Sequence, residues 1–308
     1  MTEHRFAVAT VLATLVLLVA GGLVVGTGSS LACPDWPTCY GSFSPEMSGG
    51  VEYEHTHRVI ATLVGMLTLT LALLLWRRRA DDLRLMWLGV AASLLVIFQG
   101  VLGGVTVLLR LPTAVSAAHL ATAMVFLMLV TVIATRSRLL AGHALATARD
   151  EGAARVMGWA TLAVYLQVAL GGVVRHTGAG LACTDLPWCA GDPWPSEQHV
   201  TALVHMIHRY GGVLVSLWVL AAAWRAARGA ERGSLAWWLG ALASVLVIVQ
   251  FCLGLVNVLT RLDLVAVTTH LGVGATLLAV MTAAWQAHRL GYSGAQAPSG
   301  AVAPGGEA

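Results

Sequence analysis

Apolar runs about twenty residues long, separated by short polar stretches, dominate this chain. Eight can be counted: Phe6–Val25, Val59–Trp76, Leu85–Leu109, Pro112–Ala134, Met157–Val174, Ala202–Trp224, Leu235–Thr260 and Leu264–Gln286. A helix needs roughly 20 residues, rising about 1.5 Å each, to cross about 30 Å of hydrocarbon. Each run therefore predicts a transmembrane helix. The first is too long for a secretory h-region and lacks a convincing cleavage site, so it reads as a retained helix. From Ser293 the pattern lapses into a Gly/Ala/Pro-rich tail, expected to be disordered.

The polar positions between and within these runs repeat. Gly-Ser-Ser-Leu-Ala-Cys at Gly28–Cys33 returns as Gly-Ala-Gly-Leu-Ala-Cys at Gly178–Cys183, and His57-Arg58 returns as His208-Arg209. Val-Ile-Phe-Gln at Val96–Gln99 returns as Val-Ile-Val-Gln at Val247–Gln250, and Ala-His-Leu at Ala118–Leu120 as Thr-His-Leu at Thr269–Leu271. Four helices per half is an even number, so both halves share one orientation. The expected fold is an all-α membrane protein whose eight transmembrane helices form two parallel, pseudo-twofold related four-helix bundles. Residues 1–150 make the N-terminal bundle and residues 151–292 the C-terminal one. Gln167 opens a further Gln-x-x-Leu-Gly-Gly like that of Gln99–Gly104, which points to an older two-helix unit.

Composition agrees. Only 11% of the 308 residues are charged and 57% are hydrophobic, against about 25% charged in a soluble domain. All 18 basic residues are arginines, scattered singly or at helix ends, so the net charge of +3 marks no nucleic-acid surface. With a cytoplasmic N-terminus, 13 of those 18 arginines fall on the inner side, as the positive-inside rule requires. That predicts a bacterial inner-membrane protein with both termini cytoplasmic. The two Cys-x5-Cys loops, Cys33–Cys39 and Cys183–Cys189, then face outward, where disulfides persist. They read as structural staples, with a redox role left open for the first. Cys252, inside an apolar run, is expected to be a small core residue.

Four histidines carry the chemistry. His57 and His208 lie at the outer mouths of helices 2 and 6, while His119 and His270 lie inside helices 4 and 8. A histidine on a membrane helix is costly to bury and is a functional candidate by default. The second and fourth helices of each half can face each other, setting one imidazole on either side of a gap. Bundle cores hold cofactors in this way, and two opposed imidazoles suit the axial positions of haem iron. Arg58, Arg110, Arg209 and Arg261 at the outer rim could pair with haem propionates. The plainer alternative is a set of interhelical hydrogen bonds. His4, His143 and His288 read as solvated near inner loops, and His55, His176 and His199 as bystanders. Gln99, Gln167 and Gln250 read as helix bridges.

The halves differ at one telling place. Glu54 stands one turn before His57 on the same helix face, and its counterpart is His205. A carboxylate beside a haem can move protons or polarise water. The difference suggests a reactive pocket in the N-terminal half and a holding pocket in the C-terminal half. The alternative is that Glu54 is an acid favoured at a helix start.

These residues resemble the haem A synthases. The resemblance covers all eight helices and rests on Glu54-x-x-His57-Arg58, His119, His208-Arg209, His270 and the paired Leu-Ala-Cys-x5-Cys loops. It implies oxidation of the C8 methyl of haem O, through an alcohol, to the formyl group of haem A for terminal oxidases. It further implies that His57 and His119 flank the substrate haem, that His208 and His270 ligate a resident haem b, and that Glu54 is catalytic. The implied partners are a haem O synthase handing over substrate in the membrane, lipid, and an electron donor or acceptor; self-association is compatible with the sequence. A di-haem membrane cytochrome b acting only in electron transfer is the competing reading. A transporter, or a thiol-oxidising protein, leaves the histidines idle.

Overall fold

The computed structural model describes residues 1–140, 150–195 and 199–291. The expected tail from Ser293, and His143, lie outside them. Among the described residues there are eight long helices: α1 Thr2–Gly26, α2 Val51–Arg77, α3 Leu83–Leu108, α4 Thr113–Leu140, α5 Glu151–His176, α6 Val200–Gly229, α7 Leu235–Leu259 and α8 Leu264–Leu290. A 3-10 turn, Ala179–Leu181, follows α5. All eight are long and apolar enough to cross a membrane, so this is an all-helical, multi-pass membrane protein.

Side chains that satisfy the first free amides set several helix starts. Asp82 accepts from the amide of Leu85 at 3.1 Å, Asp150 from Ala153 at 2.9 Å and Asp263 from Val265 at 2.9 Å, while Ser234 accepts from Trp237 at 3.2 Å. Helix α2 begins differently. It starts at Val51, eight residues before its apolar run, and carries Glu52 and Glu54 in its first turn, where the helix dipole favours acids. Its N-cap, Gly50, has φ +96°, and a Cβ there would meet Ser29 Oγ at 2.8 Å. Only glycine brings the loop this close to the end of α1.

Helices α1–α4 pack as a ring in chain order, closed by α1 against α4; α5–α8 do the same, closed by α5 against α8. Between the rings, α1 packs on α8, α4 on α5, and α4 on α8. The core follows these contacts. One cluster joins Val64, Leu71, Leu85, Phe126 and Val130 of the first four helices. A larger one joins Met157, Val219, Leu278 and Met281 with Met124 and Leu127 of α4 and Leu18 of α1. Close glycines sit at the seam. A Cβ on Gly22 would stand 3.0 Å from Leu271 Cδ2, and one on Gly172 would stand 2.9 Å from Leu120 Cδ2.

Three expectations fail. Cys252 is exposed rather than a core residue. His288 is buried, with 2% of its surface accessible, rather than solvated. His4 is part-buried and its Nδ1 lies 3.0 Å from the Ala134 carbonyl. His4 and His288 lie at helix ends that pack on neighbouring segments, His4 on the end of α4 and His288 beside Asp150, whose amide donates to its carbonyl at 3.2 Å; Cys252 has another cause. A lipid-facing surface is as apolar as a core, so membrane-helix sequences do not mark which face is inside.

Candidate functional site

Each of the four histidines rests on a glycine of the helix before it. A Cβ on Gly21 of α1 would stand 3.0 Å from His57 Cε1, and one on Gly103 of α3 would stand 3.2 Å from His119 Cε1. In the second half the distances are 3.1 Å from Gly171 to His208 and 3.5 Å from Gly254 to His270. Missing side chains on the odd helices thus make room for imidazoles on the even ones, four times over. Gly103 and Gly171 are the first glycines of the two Gln-x-x-Leu-Gly-Gly motifs, the one signal in the sequence for these seats; Gly21 and Gly254 lie outside them.

His57 lies within electrostatic range of His119, and His208 within range of His270. Buried Nδ1 atoms of His57, His119, His205 and His270, and Nε2 of His288, have no hydrogen-bond partner among the described residues. Orphaned polar atoms inside a membrane protein cost free energy unless a ligand compensates them. Among the described residues no group of three His, Cys, Asp or Glu side chains could hold a bare metal ion. A macrocycle that brings its own equatorial nitrogens needs only one or two imidazoles, so this donor set fits haem.

The glutamines are not equivalent bridges. Gln167 Nε2 lies 3.0 Å from His208 Nδ1 and donates to the His208 carbonyl at 2.7 Å. Gln250 Nε2 lies 3.3 Å from His270 Nε2. Gln99 instead donates to the Thr122 hydroxyl, one turn past His119. The first-half counterpart of Gln167, 150 residues earlier, is Leu17. His208 is therefore tethered by a side-chain amide, whereas His57 meets only the backbone of Leu17 at the matched position.

Glu54 is 3% exposed. Its Oε1 accepts from Arg58 at 2.6 Å and its Oε2 from the Cys33 amide at 2.8 Å. Arg58 also donates to the carbonyls of Asp35 at 2.8 Å and Thr38 at 2.5 Å. In the second half Arg209 donates to the carbonyls of Asp185 at 2.7 Å and Trp188 at 3.4 Å, and to that of Cys183. Its Nε donates to His205 Nε2 at 3.3 Å. Both loops are closed by disulfides, Cys33–Cys39 and Cys183–Cys189. The guanidiniums expected at propionates thus clamp the loops, because each loop folds back over the first turns of the helix that carries its arginine. Arg110 and Arg261 are exposed and sit in matched turns. Both have positive φ, +58° and +54°, as do Leu111 and Leu262 after them. Leu111 donates to the Thr106 carbonyl at 2.7 Å, and Leu262 to that of Asn257 at 2.8 Å.

Of the other outer histidines, His176 lies within electrostatic range of His119. His55 and His176 are half-buried near the outer loops, and the His176 carbonyl accepts from Thr113 at 3.2 Å.

The family model COX15-CtaA, cytochrome oxidase assembly protein, matches residues 51–282. The chain belongs to this family. Its relatives carry the name heme A synthase. The protein from Bacillus licheniformis is 30% identical over 270 residues, covering 85% of this chain and 87% of its own. That from Symbiobacterium thermophilum is 34% identical, covering 81% and 86%, and that from Geobacillus kaustophilus is 30% identical, covering 86% and 84%. The COX15-CtaA match runs from the first residue of α2 into α8, and so takes in all four histidines, Glu54 and the second cysteine loop.

Proposed function

We propose that this chain oxidises the C8 methyl group of haem O, through the alcohol, to the formyl group of haem A. Its membership among proteins named heme A synthase carries that reading. We assign the substrate to residues 1–150, between His57 and His119, and a resident haem b to residues 151–292, between His208 and His270. The two rings of helices, with matching neighbours, support a parallel pseudo-twofold pair of bundles. Arginine placement supports cytoplasmic termini and outward cysteine loops.

The assignment of the halves follows from their differences. A resident cofactor calls for a fixed ligand, and His208 has the Gln167 tether, the kind of second contact that fixes ring orientation. A reacting substrate calls for a proton-handling group, and at the matched position the first half has Glu54 where the second has His205. The C-terminal haem supplies electron transfer when bound. Glu54, held by Arg58 and the Cys33 amide, presents a fixed carboxylate one turn from His57 and accepts the proton released at the substrate carbon. Burial among apolar helices excludes bulk water from that position. Arg110 and Arg261, free of protein partners among the described residues, are the arginines left to meet propionates. Each hydroxylation takes its oxygen from one water molecule admitted at the substrate carbon, releases two protons, the first to Glu54, and passes two electrons to an acceptor outside the chain; a haem O synthase supplies the substrate within the membrane.

The test is extraction and mass analysis of haems from the protein co-expressed with a haem O synthase. Haem b together with haem O, its alcohol or haem A is expected. Haem b alone, at two per chain, would establish the electron-transfer cytochrome instead. Glu54→Gln should retain haem b and halt oxidation.

A further inference from the structure

The halves differ at one more matched pair of positions. Gly104 follows Gly103, the glycine beneath His119, and a Cβ on it would stand 2.6 Å from Trp36 Cδ2, within the indole. The ring of Trp36 therefore lies directly on the α3 backbone, and any residue larger than glycine at position 104 would evict it. The second-half counterparts are Leu186 in place of Trp36 and Leu255 in place of Gly104. In the first half an indole lies over a glycine; the second half has leucines at both matched positions.

Trp36 is held from both sides. Arg58 donates to the carbonyls of the residue before it, Asp35, and of Thr38 after it. The Asp35 carboxylate closes the turn, accepting from the Thr38 hydroxyl and from the amides of Tyr40 at 2.6 Å and Gly41 at 2.9 Å. Arg58 is also the partner of Glu54. An indole one residue along α3 from the His119 seat is thus joined through one guanidinium to the carboxylate beside His57. Trp36 nonetheless keeps 39% of its surface exposed, which leaves ring surface for a ligand.

We infer that Trp36 is a specificity-determining residue of the substrate pocket, its indole forming the outer wall against which the haem O macrocycle packs. An indole is a rigid apolar plane with few torsions to fix, suited to a flat apolar partner; a leucine pair is not. The inference rests on placing the substrate in the N-terminal half.

The test uses Trp36→Leu, Trp36→Phe and Gly104→Leu in the full chain, co-expressed with a haem O synthase. Haem b content, the absorption spectrum of bound haem O, and KM and kcat for haem O are measured. Trp36→Leu should leave haem b per chain unchanged, shift the haem O spectrum and raise KM about tenfold, the effect of losing one aromatic contact. Gly104→Leu should match it, and Trp36→Phe should recover most of the affinity. An unchanged KM and spectrum in Trp36→Leu and Gly104→Leu would overturn the role of the indole. So would a KM in Trp36→Phe as high as in Trp36→Leu. Loss of haem b with KM intact would instead overturn the assignment of the halves.

Discussion

The glycine seats give an unequal pair of substitutions within one half. Carbon atoms pack best about 3.5–4.0 Å apart. A Cβ at Gly254 would meet His270 at 3.5 Å, while one at Gly171 would meet His208 at 3.1 Å. Gly254→Ala is therefore ordinary contact, and Gly171→Ala intrudes. His208 has no free retreat, because Gln167 holds both its Nδ1 and its carbonyl. Overpacking of this kind costs about 1–3 kcal/mol, which is roughly a 5- to 150-fold loss of haem affinity. Against that, replacing a helical glycine by alanine gains up to about 1 kcal/mol of helix stability. Gly254→Ala should thus keep its haem b and unfold no earlier than the parent. Gly171→Ala should lose most of its haem b on dilution in detergent, measured as pyridine haemochrome per polypeptide. Equal retention by the two variants, or loss from Gly254→Ala alone, would refute the argument from seats.

Other consequences follow from the same contacts. Gln167→Leu recreates the Leu17 arrangement of the first half and should weaken haem b binding about 10- to 100-fold, the usual cost of losing a ligand's second contact, read by haem titration. The Thr38 hydroxyl, with the amides of Gly41 and Tyr40, holds the Asp35 carboxyl below its ordinary value of 3.8. A lowered folded value means that this support is complete above about pH 3.8 and is lost as pH falls below it. Reduction of the buried Cys33–Cys39 bond by a phosphine should accordingly be slow from pH 8 to pH 5 and speed up only below about 3.8, and Asp35→Asn should remove the acid-dependent rise. Arg110→Gly should relieve a left-handed backbone costing about 1–2 kcal/mol and raise the unfolding temperature, while weakening haem retention through the lost guanidinium.

Much of this was legible before any coordinates. Runs of apolar residues located all eight helices to within a few residues at most ends, because a bilayer leaves the backbone no other way to satisfy itself. The start of α2 was the largest miss, eight residues, followed by the start of α5 and the end of α4, six each. Polar Glu52, Glu54, His55 and Arg58 interrupt the hydropathy signal, yet Arg58 pairs with Glu54 inside the helix and the dipole favours the acids. The four histidines and Glu54 stood out because a polar group in hydrocarbon needs a reason. Their supports did not. Gly21 and Gly254 look like any membrane glycine, and nothing linear shows that Gln167 reaches His208 while Gln99 reaches Thr122. Arg58 and Arg209 could be placed at the outer rim, but the direction of loop carbonyls is a property of the folded turn.

The paired glycines of α1 and α5 bear on how such a duplicated protein can change. Gly21 faces its own half's histidine while Gly22, the next residue, faces Leu271 beside His270; Gly171 and Gly172 face His208 and Leu120. A duplication normally frees one copy to drift while the other keeps the original task. Here each copy packs a leucine, next to its own histidine, against the adjacent rung of the other's helix. The two halves are therefore constrained to diverge in step, and exchanging one half between distant relatives should fail unless the facing leucine travels with the glycine step.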